Sequence, residues 1–192
     1  MRYLSFDIEA TGLNEHDLII EFACVPFDTK LGIEKSLAFH YFIQCPAFEI
    51  LKPRLDPWVI QHNEKLIRKA NETGLTIPAF QKKIKEYLES EAITTYFNKE
   101  KVVLFGKSMN SIDLPFLNRD LGWDFMRKYF HHRMLDLTCF AKGLVDLGKL
   151  PKDGDSGSVL MKHFGMGAVA HTALEDAVNT AELYLKILNT VK

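Results

Sequence analysis

From Tyr3 to Glu9 apolar and polar residues alternate: Leu4, Phe6 and Ile8 fall on one face, and Ser5, Asp7 and Glu9 on the other. This predicts a strand, closed by a turn at Thr11-Gly12-Leu13-Asn14. A second strand is expected through Leu18 to Phe27 and a third from about Ser36 to Ile43, forming an antiparallel meander. The stretch from Gln44 to Pro57 contains Pro46, Pro53 and Pro57 and reads as irregular, with a helix carrying Trp58, Val59 and Ile60 after it. Phe80, Ile84, Tyr87 and Leu88 repeat at helical spacing. Val102 to Phe105 predicts a short buried strand. After it, Ser111 is expected to cap a helix with Pro115 in its first turn and Phe116, Leu117 and Leu121 on its inner face. Met134 to Leu137 predicts a last strand running into a helix capped by Asp136, and Lys149 to Gly157 a loop. A final helix has Leu174, Val178, Ala181, Leu185 and Leu188 on one stripe. Strands first, then strands alternating with helices, imply an α/β domain: a mixed sheet flanked by helices. No repeat, low-complexity tract or linker divides residues 1–192, so one domain is expected.

Composition narrows the function classes. The chain is 47% hydrophobic and 26% charged, ordinary for a globular protein. No run approaches the roughly 18 apolar residues of a membrane span, and acidic residues interrupt the N-terminus before a secretory signal develops. Cys24, Cys45 and Cys139 are widely spaced and form no CxxC pair, which points to reduced thiols and a cytoplasmic protein without a disulfide framework or zinc site. A net charge of −1 argues against a long basic grip on duplex nucleic acid, so any such grip is short and local.

Three places carry candidate chemistry. Asp7 and Glu9, at i and i+2 of a strand, project from one face, where their carboxylates can share a cation. Thr172-Ala173-Leu174-Glu175 has the form of a capping box, which puts His171 just outside the last helix and Asp176 on its first turn, pointing off the exposed end. Asp113 falls in the first turn of the helix after Val102–Phe105. Singly, each has an ordinary explanation: a solvated strand end, a loop histidine, acids placed for the helix dipole.

Jointly, Asp7-x-Glu9, Asp113 within Ser-Ile-Asp-Leu-Pro-Phe-Leu, and His171-x4-Asp176 closely resemble the DEDDh exonuclease group, which includes proofreading exonucleases and oligoribonucleases. FDIEATGL, SIDLPFLNRDL and HTALEDAVNTAELY match in wording and spacing, and the resemblance covers almost the whole chain. It implies a ribonuclease H-like fold and 3′→5′ exonuclease activity releasing nucleoside 5′-monophosphates from 3′ ends of single-stranded DNA or short RNA. It also implies two Mg²⁺ or Mn²⁺ ions held by Asp7, Glu9, Asp113 and Asp176, with His171 as general base. In the turn after the acidic pair, Ala10, Thr11 and Leu13 are expected to hold the terminal nucleotide, Leu13 as a wedge between the last two bases and Thr11 at the terminal sugar.

Asp56 to Asn63 and Asn71 to Leu75 resemble the oligoribonuclease branch, which implies base stacking for Trp58, with a core aromatic as the other reading. Phe105-Gly106-Lys107-Ser108 is similar to a segment whose serine meets the substrate phosphate, so Ser108 is a candidate contact or a simple loop hydroxyl. His132 stands where those enzymes present a tyrosine from a partner subunit, and the Asp113 segment reads more like DNA-directed relatives. DNA or RNA preference and a homodimer, the state of oligoribonuclease-like members, stay open. Asp136 reads as a cap, and His16, His40, His62 and His163 as structural or exposed. Two other functions compete. A haloacid-dehalogenase-type phosphatase, from Asp7-Ile8-Glu9-Ala10-Thr11, leaves His171-x4-Asp176 unexplained; a silent nucleic-acid-binding module should have lost acids that are all present.

Overall fold

The computed structural model describes residues 1–167 and 172–191. Strand β1 (Arg2–Ala10) is central and pairs antiparallel with β2 (Ile19–Asp28) along its whole length, from Arg2 opposite Asp28 to Ala10 opposite Ile19. The free edge of β2 carries β3 (Gly32–Ile33) and β4 (Phe39–Phe42), both antiparallel. Only β4 falls within the expected third strand; β3 was not expected, and the start of the expected strand is a 3-10 turn over Lys35–Leu37, where Glu34 accepts the Ser36 N–H. On the other side of β1 lie β5 (Leu104–Gly106) and β6 (Leu135–Asp136), both parallel to their neighbours. The sheet is therefore mixed, and β1 is the strand at which its direction of growth reverses.

Nine helices are found among the described residues: α1 (Phe48–Leu51), α2 (Pro57–Thr73), α3 (Ile77–Glu89), α4 (Glu91–Tyr96), α5 (Asp113–Leu121), α6 (Trp123–Tyr129), α7 (Leu137–Asp146), α8 (Gly157–His163) and α9 (Ala173–Thr190). Leu4, Phe6 and Ile8 of β1 meet Phe80 and Ile84 of α3, Leu114 and Leu117 of α5 and Met126 of α6. On the opposite face Tyr3, Phe27 and Phe105 pack with Leu137 of α7, Leu160 of α8 and Tyr184 and Ile187 of α9. Helices thus cover both faces, as the alternation in β1 requires. A third cluster joins Ile20 to α1 and α2 through Phe48, Leu51, Val59 and Ile67. The register shift between Glu9 and Ala10 leaves Ile20 as an extra residue in β2, and Ile19 and Phe22, three apart, then belong to the same core.

Several local expectations need correction. Helices α1, α4, α6 and α8 were not expected, because each is four to seven residues long and too short for a clear apolar period. Ser111 does not cap α5; its hydroxyl donates to the Ser108 carbonyl, and α5 begins one residue after Ile112 with no side-chain cap. At α9 the capping box closes differently: the Thr172 hydroxyl donates to Glu175 at 2.7 Å, and the Thr172 side chain accepts no backbone N–H. Asp136 does cap α7, accepting from the N–H groups of Thr138 and Cys139.

The stripe of α9 is also rotated. Ala173, Asp176, Ala177, Thr180, Ala181, Tyr184 and Ile187 are buried, while Leu174, Val178, Leu185 and Leu188 are only partly so. Small side chains let the helix backbone approach the sheet so closely that the buried Ser5 hydroxyl donates to the Ala177 carbonyl at 2.6 Å. Asp176 consequently faces inward and is buried, instead of pointing off an exposed end. Ala177→Leu, which inserts a larger group at this contact, is expected to cost about 1–3 kcal/mol of stability in urea denaturation. It should also lower activity by displacing Asp176; a variant as stable and active as the parent would show that close approach of α9 is not needed.

Candidate active site

The acidic cluster sits at the carboxyl end of the central parallel strand, the place where open α/β sheets bind ligands. Asp7 and Glu9 point from the face of β1 that packs on α9, and α9 brings Asp176 to them. One carboxylate oxygen from each of the three lies within 4.8 Å of the others. Asp113, buried at the start of α5, is anchored beside them by the Ile8 N–H, which donates to its Oδ1 at 3.2 Å. Asp7, Glu9 and Asp176 line a cleft of about 720 Å³ with Ala10, Leu13 and Trp58.

Burial and mutual repulsion make this cluster unfavourable when fully ionised. Burial pushes the Asp7 carboxyl well above the ordinary range, and the charges of Asp113, Asp176 and Glu9 push it further. Glu9 is raised to about 7, first by burial, then by Asp176 and Glu21; a hydrogen bond from Asn63 opposes this. Asp113 is also raised to about 7 by burial, against the pull of the Ile8 N–H and Lys107. Clustered carboxylate oxygens that hold protons this tightly are a donor set suited to hard divalent cations such as Mg²⁺ or Mn²⁺.

The turn after β1 is organised around Asp17. Its Oδ1 accepts from the Thr11 hydroxyl at 2.9 Å and its Oδ2 from the Asn14 backbone N–H at 2.9 Å. A Cβ on Gly12 would lie 2.4 Å from Asp17 Oδ2, so any side chain there would push the Asp17 carboxylate aside. Arg119, in the last turn of α5, donates to the carbonyls of Glu15 and Asp17 at 2.8 and 2.7 Å. Helix α5 therefore fixes Asp113 at one end and the turn at the other.

Of the residues singled out in the sequence, Asp7, Glu9, Asp113 and Asp176 converge. His171 lies outside the described residues; it directly precedes Thr172, the first residue before α9. Ala10 and Leu13 line the cleft, and Leu13 is 75% exposed. Thr11 is buried, its hydroxyl donating to Asp17 and accepting from the Leu18 N–H, so its side chain is engaged within the turn. Trp58 lines the cleft, 48% exposed, stacked on His62 at 4.3 Å. Ser108 is not among the cleft-lining residues; its hydroxyl is 2.9 Å from that of Thr138.

Three residues in the site escaped notice in the sequence. Lys107 lines the cleft and favours the ionised forms of Asp7 and Asp113. Asn63 of α2, almost fully buried, donates through Nδ2 to Glu9 Oε2 at 3.2 Å. Glu21, buried directly opposite Glu9 on β2, accepts the Ala173 N–H at 3.2 Å and meets His40 Nε2 at 2.6 Å, tying the start of α9 to the sheet. The one signal for Glu21 was an acid placed near the start of the long apolar run of β2.

A mixed sheet whose central strand and flanking helices converge four acids defines an exonuclease domain of the DEDDh type. The chain belongs to that family: residues 4–184 match the RNase_T exonuclease family. The ribonuclease H-like fold is shared with solved structures. The nuclease domain of 3′hExo, a DEDDh family member, bound to rAMP, has a TM-score of 0.62 and 17% identity, with 98% of this chain and 92% of that one covered. Cell-death related nuclease 4 (CRN-4) gives 0.68 and 14%, covering 98% and 64%. The zinc-bound E. coli exonuclease I complex with single-stranded DNA gives 0.72 and 17%, covering 100% and 41%. The chain thus spans less than two thirds of the last two. No curated protein matches it in sequence. Among the described residues no helix is long and apolar enough to cross a membrane.

The raised acids make stability depend on pH with a definite sign. Below the unfolded carboxylate pKa of about 4, both states are protonated and nothing is lost. Between there and about 7, the folded pKa of Glu9 and Asp113, the folded state binds more protons, so stability falls as pH rises. Thermal melts in EDTA should lose stability from pH 5 to pH 8, less so in Asp7→Asn, and Mn²⁺ should raise Tm more at pH 8. An Asp7→Asn profile parallel to the parent's would remove the cluster as the cause.

Proposed function

We propose that this domain is a 3′→5′ exonuclease that removes nucleoside 5′-monophosphates from single-stranded DNA or short RNA. The observation that carries the reading is the convergence of Asp7, Glu9 and Asp176 within 4.8 Å, beside the buried Asp113, at the floor of an open cleft. These four carboxylates would hold two Mg²⁺ or Mn²⁺ ions. When bound, the ions supply an acidified water and offset the charge that develops on the phosphate and on the departing 3′ oxygen.

The chain's own residues do the rest. Asp7 and Glu9 are held on a strand and Asp113 and Asp176 on helices, so the donor set is fixed before any ion arrives. His171 takes a proton from the attacking water, imidazole being the side chain whose ordinary pKa lies nearest neutrality. Leu13, Asn14 and Ile112 line both the cleft and a second hollow of about 440 Å³ that Phe116 and Arg119 also border. Two hollows that share an exposed apolar residue suit the last two nucleotides of a strand, Leu13 entering between their bases. Trp58, at the edge of the cleft, would stack on the terminal base. The turn closed by Asp17 limits the strand beyond its 3′ end, which favours end removal over internal cleavage. Zinc and single-stranded DNA in the E. coli exonuclease I structure, and rAMP in 3′hExo, fit the same reading.

The test is hydrolysis of 5′-labelled RNA and DNA strands of roughly two to twenty nucleotides. Product ladders should shorten from the 3′ end, stop with EDTA and resume with Mn²⁺ or Mg²⁺; chelator-resistant cleavage would falsify the metal-dependent reading. Asp7→Ala should lower turnover by at least about 10²-fold without loss of folding. His171→Ala should lower turnover by about 10²–10⁴-fold and leave the Mn²⁺ requirement near that of the parent. An unchanged pH–rate profile in His171→Ala would assign the base to another group.

A further inference from the structure

We propose that Lys107 is the phosphate-binding cation of this site: its ammonium group contacts the scissile phosphate, its stem lying against Gly157. The inference rests on the exonuclease reading and adds to it a residue that decides substrate affinity.

Lys107 follows β5 directly, so it emerges at the same end of the sheet as Asp7 and Glu9, and it lines the same cleft. Among the described residues it forms no ion pair with the acids, although it acts electrostatically on both Asp7 and Asp113. Its stem instead runs along the start of α8. A Cβ at Gly157 would lie 2.9 Å from Lys107 Cδ and 3.3 Å from its Nζ. The neighbouring Ser108 turns its hydroxyl to Thr138, so of these two residues Lys107 is the one that faces the cleft.

The charges agree with this placement. Two divalent cations cancel the four carboxylates. The single positive charge of Lys107 then matches the single negative charge of a phosphodiester, at a point where water is partly excluded and a charge-assisted contact is strong. Because Lys107 is not locked to a carboxylate, the carboxylate oxygens stay available to metal.

The experiment compares the parent with Lys107→Gln, Lys107→Arg and Gly157→Ala, each first shown by thermal melting to be folded. In Mn²⁺, Lys107→Gln should lower kcat/KM on a single-stranded oligonucleotide by about 10- to 100-fold. Its plot of log kcat/KM against log salt should be shallower by about 0.7, the contribution of one single-strand phosphate contact. Lys107→Arg should recover part of the loss, and Gly157→Ala should lose activity in the same direction by displacing the stem. Binding gives a second readout. In an Asp7→Asn background, dye-labelled strands are titrated with either an ordinary last linkage or a neutral methylphosphonate there. Lys107→Gln should weaken binding of the first and leave the second unchanged.

If Lys107→Gln keeps the parent's kcat/KM and salt slope, or changes only the Mn²⁺ requirement, Lys107 is an internal counter-ion and the inference fails. It fails equally if the neutral-linkage strand is weakened as much as the ordinary one. A parent enzyme with no turnover in Mn²⁺ or Mg²⁺ would overturn the exonuclease reading itself, which separates the two.

Discussion

Repulsion among carboxylates held out of water is the constraint on which this structure turns. Asp7, Glu9, Asp113 and Asp176 come from three distant segments, and in the absence of cations each opposes the approach of the others. Their convergence therefore has to be imposed by contacts elsewhere. The long β1–β2 ladder supplies two acids, and the apolar residues beneath α5 and above β1 supply rigid support. The small face of α9 then brings the fourth acid in against the sheet, fixed at its start by Glu21 and further along by Ser5. A cluster arranged this way is unfavourable when ionised alone, and divalent cations would offset that repulsion.

The same rigidity ties the acids to the turn after β1. Helix α5 starts at Asp113 and ends with Arg119, whose guanidinium holds the carbonyls of the turn that carries Leu13. A shift of that turn relative to the acids would require α5 to move, and α5 is anchored in the main core through Leu114, Phe116 and Leu117. The turn and the acids are thus set at a fixed separation by one helix of nine residues. The Asp17 carboxylate completes the frame by occupying the space a Gly12 side chain would need.

Much of this was legible because the relevant signals are local. Alternation over Tyr3–Glu9 revealed β1 and the shared face of its two acids, and Asp136 ahead of Thr138 and Cys139 announced a cap. What stayed hidden depends on long-range placement. The apolar period of α9 pointed to its leucines, yet the alanines face the sheet, because close approach matters more there than side-chain area. Glu21 and Asn63 are ordinary polar residues in the sequence and become part of the site only through pairings across strands and helices. Ser108 carried the family resemblance, while its neighbour Lys107 lines the cleft and Ser108 turns to Thr138, a placement that no pattern along the chain displays.

The placement of Lys107 also explains why a lysine can sit beside four acids without disabling them. A direct ion pair would occupy carboxylate oxygens that cations need and would hold the ammonium away from substrate. A flexible stem lying against Gly157 does neither. It keeps a positive charge near enough to ease the ionisation of Asp7 and Asp113 before metal binds, and free enough to turn to a phosphate afterwards. Arginine in the same slot would carry a wider, planar head and a stronger preference for bidentate carboxylate pairing. The narrow clearance at residue 157 and the need to leave the acids open therefore both favour lysine, for reasons that belong to the geometry of this cleft.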